Sequence, residues 1–390
     1  MSQGTRSVAN EESLATQLRR SLDECLQRFE RSEGISRDAY SPQETYHPMA
    51  EAEYLFALRD MVRVQLISDA QYQAKVGDAI RRLQESSVIT ERDTAAWGLG
   101  FAYGGAPPDE PYVITTALIA RSLRGRDTQT VEPAEELHRR ALTWLDEQAP
   151  RSAVGHRGRE IQVPTFSPHT SLLVVNAAAM WAAALGDRED VRSDYEAVLD
   201  WVLDQYEEDV GWPYTPEGAR VDLLHQCYIL SAIGSARGFA SVERRALGTV
   251  TSFIQGGYVP IDKFDFLSLD EAMSKIPSAS SLWLRPKAAS AFVFRPEPAR
   301  PWSIGALLVT CADLERDGHY PGYWQVLGRR IAQEVTTGLD MEALTEKWGL
   351  RQLMHVAHGF AALLANLRST KGIVGRRDRE TDRGRQGGAD

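Results

Sequence analysis

The feature that most restricts this 390-residue chain is an alternation of two kinds of helical segment. Segments at about 11–32, 70–86, 132–147, 189–206, 241–255 and 320–337 carry charge on one side; Leu14, Leu18, Leu22 and Leu26 mark the apolar stripe of the first. Segments at about 169–186, 221–236, 300–315 and 351–367 have almost no charge, and those at about 49–67 and 111–123 complete the inner set, 113–123 being apolar. A helix with a charged stripe lies on a surface, whereas one that is apolar all round is buried on every side. Twelve helices in strict outer, inner order are what a ring of six hairpins requires, with the inner helices packed as a barrel and the outer ones as a shell. The expected class is all-α, an (α/α)6 toroid.

Such a ring accounts for residues 1–368 as one domain. Its widest gap, 256–299, has room for an insertion, and Gly256, Gly257, Pro260 and the acidic, aromatic stretch 262–270 read as an excursion over one face. The polar segment 369–390 has no aromatic residue and is expected to be disordered.

Composition narrows the function classes. Hydrophobic residues at 43% and charged ones at 25% are ordinary globular values. A net charge of −10 gives no support to a nucleic-acid or anionic-membrane surface, since either needs a basic face. Cys25, Cys227 and Cys311 form no close pair, which fits reduced thiols of a cytoplasm. The N-terminus is polar, without the apolar stretch of a secretory signal, and no run approaches the roughly 20 apolar residues of a membrane span. The expectation is a soluble cytoplasmic protein with no membrane insertion. GxGxxG, Walker and GxSxG elements are missing, so nucleotide and serine-hydrolase chemistry are not indicated, and no cofactor or metal is expected.

In a toroid of this order every connection from an outer helix to the next inner one emerges at the same end, where function concentrates. These connections are aromatic and polar. They hold Tyr46 and His47; Trp97, Phe101, Tyr103 and Tyr112; Phe166 and His169; Trp212 and Tyr214; Phe292, Phe294, Arg300 and Trp302; and Trp348, with His355 and His358 following. The most concentrated stretch is 211–233, where a Gly-Trp-Pro-Tyr loop runs into an apolar helix. Asp222 and His225, three apart, share a face one turn from its start. Aromatic faces beside carboxylate and imidazole groups suit the stacking and hydrogen bonding of sugar rings, and also an isoprenoid chain.

Trp97-Gly98-Leu99-Gly100 followed by Pro111-Tyr112-Val113, then Phe166-Ser167-Pro168-His169, then Gly211-Trp212-Pro213-Tyr214 with Val221-Asp222-Leu223-Leu224-His225, resembles the bacterial helical-toroid proteins encoded with exopolysaccharide biosynthesis genes. Those belong to the wider six-hairpin glycosidase and terpenoid-cyclase-like toroids. The resemblance runs over residues 97–233 and continues more faintly to about 315. It implies a polysaccharide context, with Asp222 and His225 at the two polar positions of the segment that in the family usually reads Asp-Asn-Phe-His-Thr. Two departures stand out. Thr170 and Leu172 occupy positions where the family has Asn, although His169 stays, and Pro301-Trp302-Ser303-Ile304 stands where the family tends to have Asp-Ile-His.

The candidate site is therefore Asp222 and His225 as an acid/base pair, with Trp97, Tyr112, His169, Trp212, Tyr214, Trp302 and His355 binding substrate. The competing reading is that Asp222 caps its helix and His225 satisfies a buried contact. Glu217, Asp109 and Glu110 lie on the right loops for the second carboxylate a glycosidase needs, but spacing singles out none of them. His355 and His358 form an H-x-x-H pair on one helix face without an evident third ligand, which favours a structural role over a metal. His225 and Cys227, two apart, lie on opposite faces. The leading function is a carbohydrate-active protein of polysaccharide biosynthesis, a hydrolase, lyase or epimerase on an oligosaccharide or lipid-linked glycan, working beside other biosynthetic proteins. A non-catalytic glycan-binding or scaffold toroid is the alternative. A terpenoid-cyclase or prenyltransferase-like enzyme comes third, since the chain has no DxDD segment.

Overall fold

The computed structural model describes the backbone of residues 3–38, 41–89, 93–103, 106–124, 132–186, 192–207, 211–218, 221–253, 301–320, 322–338 and 341–385. The expected insertion at 256–299, with Phe292 and Phe294, and Arg300 beside it, lies outside these. Among the described residues there are twelve α-helices: α1 (Gln3–Arg31), α2 (Pro48–Arg63), α3 (Asp69–Ser86), α4 (Val113–Leu123), α5 (Glu132–Thr143), α6 (Val175–Leu185), α7 (Arg192–Asp204), α8 (Leu223–Arg237), α9 (Glu243–Phe253), α10 (Pro301–Arg316), α11 (Tyr323–Gly338) and α12 (Met341–Arg385).

The apolar helices form the inner ring. α2 packs on α4, α4 on α6, α6 on α8, α8 on α10, α10 on α12, and α12 returns to α2, so the barrel closes. The amphipathic α3, α5, α7, α9 and α11 each pack on the inner helix before them, and α1 lies against α12. Every residue of α6 is buried. Closure is helped by two glycines in register, since a Cβ on Gly305 of α10 would sit 2.1 Å from the carbonyl oxygen of His355 on α12. α12 is interrupted at Gly349, whose φ of +79° ends one helical run before the next begins at Leu350. Its helical backbone continues through Arg385, into the segment whose composition reads as disordered.

Local signals set the helix starts. Ser68 and Gln71 make a reciprocal capping box on α3. Pro48 opens α2 and Pro301 opens α10, where a missing N–H costs nothing. Asp222 caps α8, its carboxylate accepting from the backbone N–H of His225.

One expected boundary is corrected. The third inner helix begins at Val175 and not at 169, because 151–173 folds as three antiparallel strands joined to the ring: β5 (Arg151–His156), β6 (Arg159–Ser167) and β7 (Thr170–Leu173). Arg157 and Gly158, at φ +48° and +79°, form the two-residue turn between the first two. Two hairpins precede them, β1 (Ile35–Asp38) with β2 (Ser41–Tyr46) and β3 (Val88–Ile89) with β4 (Ala95–Ala96). All seven strands lie in outer-to-inner connections, so the elaborated loops sit at the N-terminal ends of the inner helices.

Candidate functional site

Helical spacing arranges the barrel interior in layers. Glu53, Leu118, Met180, Tyr228, Ala306 and His355 each stand sixth in their inner helix, and all six line the lumen. One turn nearer the loops, on the same stripes, come Thr115 (three before Leu118), Asn176 (four before Met180), His225 (three before Tyr228), Ser303 (three before Ala306) and Gln352 (three before His355). Thr115, Asn176, Ser303 and Gln352 are only 0–4% exposed. Thr115 Oγ1, Asn176 Oδ1, Ser303 Oγ and both amide atoms of Gln352 have no hydrogen-bond partner among the described residues. Leaving a buried polar group unsatisfied costs about 1–3 kcal/mol, and here four such residues from four different helices stand at one level of the barrel.

His225 belongs to the same layer. One oxygen of Asp222 accepts from the His225 backbone N–H at 3.0 Å and the other meets His225 Nδ1, while the Tyr214 ring lies 4.7 Å from the imidazole. Asp222 is thus both the helix cap and the partner of the imidazole.

The remaining candidates separate. Trp97 and Trp212 are fully buried. Trp97 Nε1 donates to Leu83 O in the last turn of α3, and Trp212 Nε1 to Val202 O in the last turn of α7, both at 2.8 Å. Each indole adds a bond to a carbonyl in the last turn of an outer helix, where Leu83 O also accepts from Ser86 Oγ and Val202 O from the Gln205 N–H, and neither has an exposed face on which a sugar could stack. Gln226 clamps the Trp212 backbone with two bonds, 2.8 Å from its N–H and 2.6 Å to its carbonyl. Tyr112 is buried against Phe166 at 4.8 Å. His169 sits on the exposed turn between β6 and β7, 4.0 Å from Glu110, away from the layer. Tyr103, part of the same aromatic group through Phe166 at 6.3 Å, is the one that reaches the surface, 40% exposed. Trp302 is half-buried, with the Arg351 guanidinium 4.4 Å from its ring, and Arg351 is held by both oxygens of Asp38 at 2.9 and 3.0 Å.

His355 belongs to a network that sequence reasoning missed. Its Nδ1 donates to Arg351 O at 2.8 Å, while Nε2 meets Tyr228 Oη at 2.5 Å and Glu53 Oε1 at 3.3 Å. The other oxygen of Glu53 meets His358 Nδ1 at 2.6 Å. Burial alone would raise the Glu53 carboxyl; the imidazoles of His355 and His358 outweigh it and bring Glu53 below the ordinary value. Burial lowers His355 by more than Glu53 restores. The two groups titrate as a pair. A glutamate in the middle of an apolar helix, in Ala-Glu-Ala-Glu-Tyr, was the available signal.

Below this layer a cavity of about 330 Å³ runs towards the C-terminal ends of the inner helices, opposite to the elaborated loops. Side-chain exposure along it rises from 1% at His355 through 11% at Asp60 and 17% at Asp313 to 47% at Arg63, so it opens at that end. Among the described residues no group of His, Cys, Asp and Glu is arranged to hold a metal, and no helix is long and apolar enough to cross a membrane.

No protein-family model and no curated protein matches the chain. Solved structures do. The chain is similar to a family 76 glycoside hydrolase from a bovine Bacteroides thetaiotaomicron strain, with a TM-score of 0.55 over 90% of this chain and 77% of that one, at 8% identity. The likeness is one of fold. This chain is an (α/α)6 toroid.

Proposed function

We propose that this toroid is a carbohydrate-active protein of polysaccharide biosynthesis that holds a sugar of an oligosaccharide or lipid-linked glycan at the loop end of its barrel, with His225 exchanging the proton. The observation that carries this reading is the buried layer of unsatisfied hydroxyl and amide groups on Thr115, Asn176, Ser303 and Gln352, at the level of the Asp222–His225 pair. A sugar ring presents donors and acceptors around its whole edge, as such a layer demands. An isoprenoid would leave every one of these groups unpaired. The likeness in fold to a glycoside hydrolase agrees, as analogy only.

Asp222, hydrogen-bonded on both oxygens, is better suited to orienting His225 than to attacking a sugar carbon. Nε2 is left as the nitrogen that takes or gives a proton. Proton transfer of this kind serves a lyase or an epimerase more directly than a hydrolase using two carboxylates. The second reading, a non-catalytic glycan-binding toroid, is favoured by α10, which opens Pro301-Trp302-Ser303 without an acid or imidazole in its first turn.

The test is calorimetry with neutral and uronate-containing oligosaccharides, with mass spectrometry of products, on wild type, His225→Gln and Gln352→Leu. The expected result is that Gln352→Leu weakens binding about ten-fold or more, as loss of buried hydrogen bonds should, while His225→Gln binds without turnover. Binding without turnover in the wild type selects the second reading. Unchanged affinity in Gln352→Leu refutes the site.

A further inference from the structure

The cavity at the other end of the barrel holds two arginines that the loop-end site does not explain. Its acids are all engaged: Glu53 with His355 and His358, Asp60 with Arg63 at 3.5 Å, and Asp313 and Asp317 with Arg316 at 2.6 and 3.6 Å. Two of its arginines are not. Arg59 on α2 and Arg121 on α4 line the same cavity, and among the described residues neither is hydrogen-bonded to a carboxylate; Asp60 and Asp313 act on Arg59, and Asp313 and Glu53 on Arg121, from farther away.

Their partners are neutral. Arg121 donates to Met180 Sδ at 2.8 Å and to the hydroxyls of Ser231 and Ser235 at 3.2 Å each. Arg59 donates to Arg124 O at 3.1 Å and lies over the Phe56 ring at 4.8 Å. Burial, with Arg59 adding to it, pushes the Arg121 guanidinium down to about 10. A buried cation with no carboxylate in direct contact is costly, and the cost falls when an anion arrives. The carbonyl ends of the inner helices face the same opening and carry about half a negative charge each. They help to hold these guanidiniums, through Arg124 O and Ser231 O, without placing a carboxylate in contact with either. A guanidinium also has five donors in a fork suited to paired oxygens, and most of those on Arg59 remain unused.

We propose that this cavity is a second ligand site, in which Arg59 and Arg121 together bind an oxyanion, a phosphate or carboxylate group, with the Ser231 and Ser235 hydroxyls beside it. About 330 Å³ admits a phosphate or a small sugar acid or sugar phosphate and excludes a polymer. The site lies on the far side of the Glu53–His355 layer and does not rest on the reading of the loop end.

The experiment is calorimetric titration of the full chain with inorganic phosphate, glucose 1-phosphate, glucuronate and, as the neutral control, glucose, on wild type, Arg121→Gln, Arg59→Gln and Asp222→Asn. Circular dichroism melts check folding. The expected result is saturable binding of at least one anion but not of glucose, weakened about ten-fold or more by Arg59→Gln and by Arg121→Gln, as loss of a charge-assisted bond should, and unchanged in Asp222→Asn. Tighter glucose 1-phosphate than glucuronate assigns the phosphate, and the reverse order assigns the carboxylate. If Arg121→Gln does not fold, Arg59→Gln decides. The proposal is overturned if no anion binds the wild type, or if anions bind the folded arginine variants as tightly as the wild type.

Discussion

Gly305→Ala probes the seam on which ring closure depends. The added Cβ would lie 2.1 Å from the carbonyl oxygen of His355, 2.2 Å from its carbon and 2.6 Å from the nitrogen of Val356. All three are backbone atoms of α12, so no rotamer change relieves the overlap. Reaching even 3.0 Å from the oxygen moves the helices apart by 0.9 Å (3.0 − 2.1). Gly359, one turn further along α12, makes the same seam tight, since its own Cβ would meet Gly305 O at 2.8 Å and Leu308 Cβ at 2.9 Å. Overpacking of this kind costs about 3 kcal/mol or more, against about 1 kcal/mol gained because alanine is the better helix former. The net expectation is a loss of at least about 2 kcal/mol. Gly77→Ala is the matched control: it too lies within a helix, α3, but its Cβ meets nothing within 4 Å, so only the gain of about 1 kcal/mol applies. Urea unfolding followed by circular dichroism and tryptophan fluorescence measures both. If the two substitutions shift the midpoint in the same direction, the backbone contact between α10 and α12 is not what closes the barrel.

Two further outcomes follow from buried groups. Trp97→Phe should lose about 1 kcal/mol of stability, because the Leu83 carbonyl loses its indole donor and keeps only the bond from Ser86 Oγ; unchanged stability with weakened glycan binding would instead make Trp97 a stacking residue. Acid should destabilise the fold below neutrality. His47 is lowered by burial and by Arg351, and His355 by burial, so each binds its proton less readily folded than unfolded. The stability they contribute is present above the ordinary imidazole value and is lost as pH falls from there towards their folded values, by at most about 1.4 kcal/mol per pH unit for each. Denaturant midpoints between pH 7.5 and 5 measure this slope, and His47→Gln should flatten it; an identical slope in that variant would show that His47 titrates alike in both states.

Much of the architecture was legible in the chain. Leu14, Leu18, Leu22 and Leu26 mark a surface helix, and the uncharged 175–185, apolar but for Asn176, marks a buried one, whatever surrounds them. The three-stranded excursion at 151–173 was missed although Arg157-Gly158 between two alternating runs is a hairpin signal, because the apolar run after Thr170 extended the helical reading backwards. Asp222 and His225 were found because local geometry alone brings them together at a helix start. Glu53 and His355 could not be, for they are about three hundred residues apart and meet only when α12 closes against α2. The tryptophans were placed on the right loops but given the wrong surroundings.

The sequence by itself determined which segments are helical, which of them are inner and outer, and hence the ring. It did so because hydrophobic periodicity records how many sides of a helix are buried. It could not say which side of an inner helix faces the lumen and which faces a neighbour, since both are buried and look alike in composition. Only the closed barrel decided that Thr115, Asn176, Ser303 and Gln352 share a layer with His225, that Trp97 and Trp212 turn inward to cap outer helices, and that Arg59 and Arg121 face one cavity. Each of those facts depends on the rotation of one helix against another, which is set by side-chain packing between segments far apart in the chain.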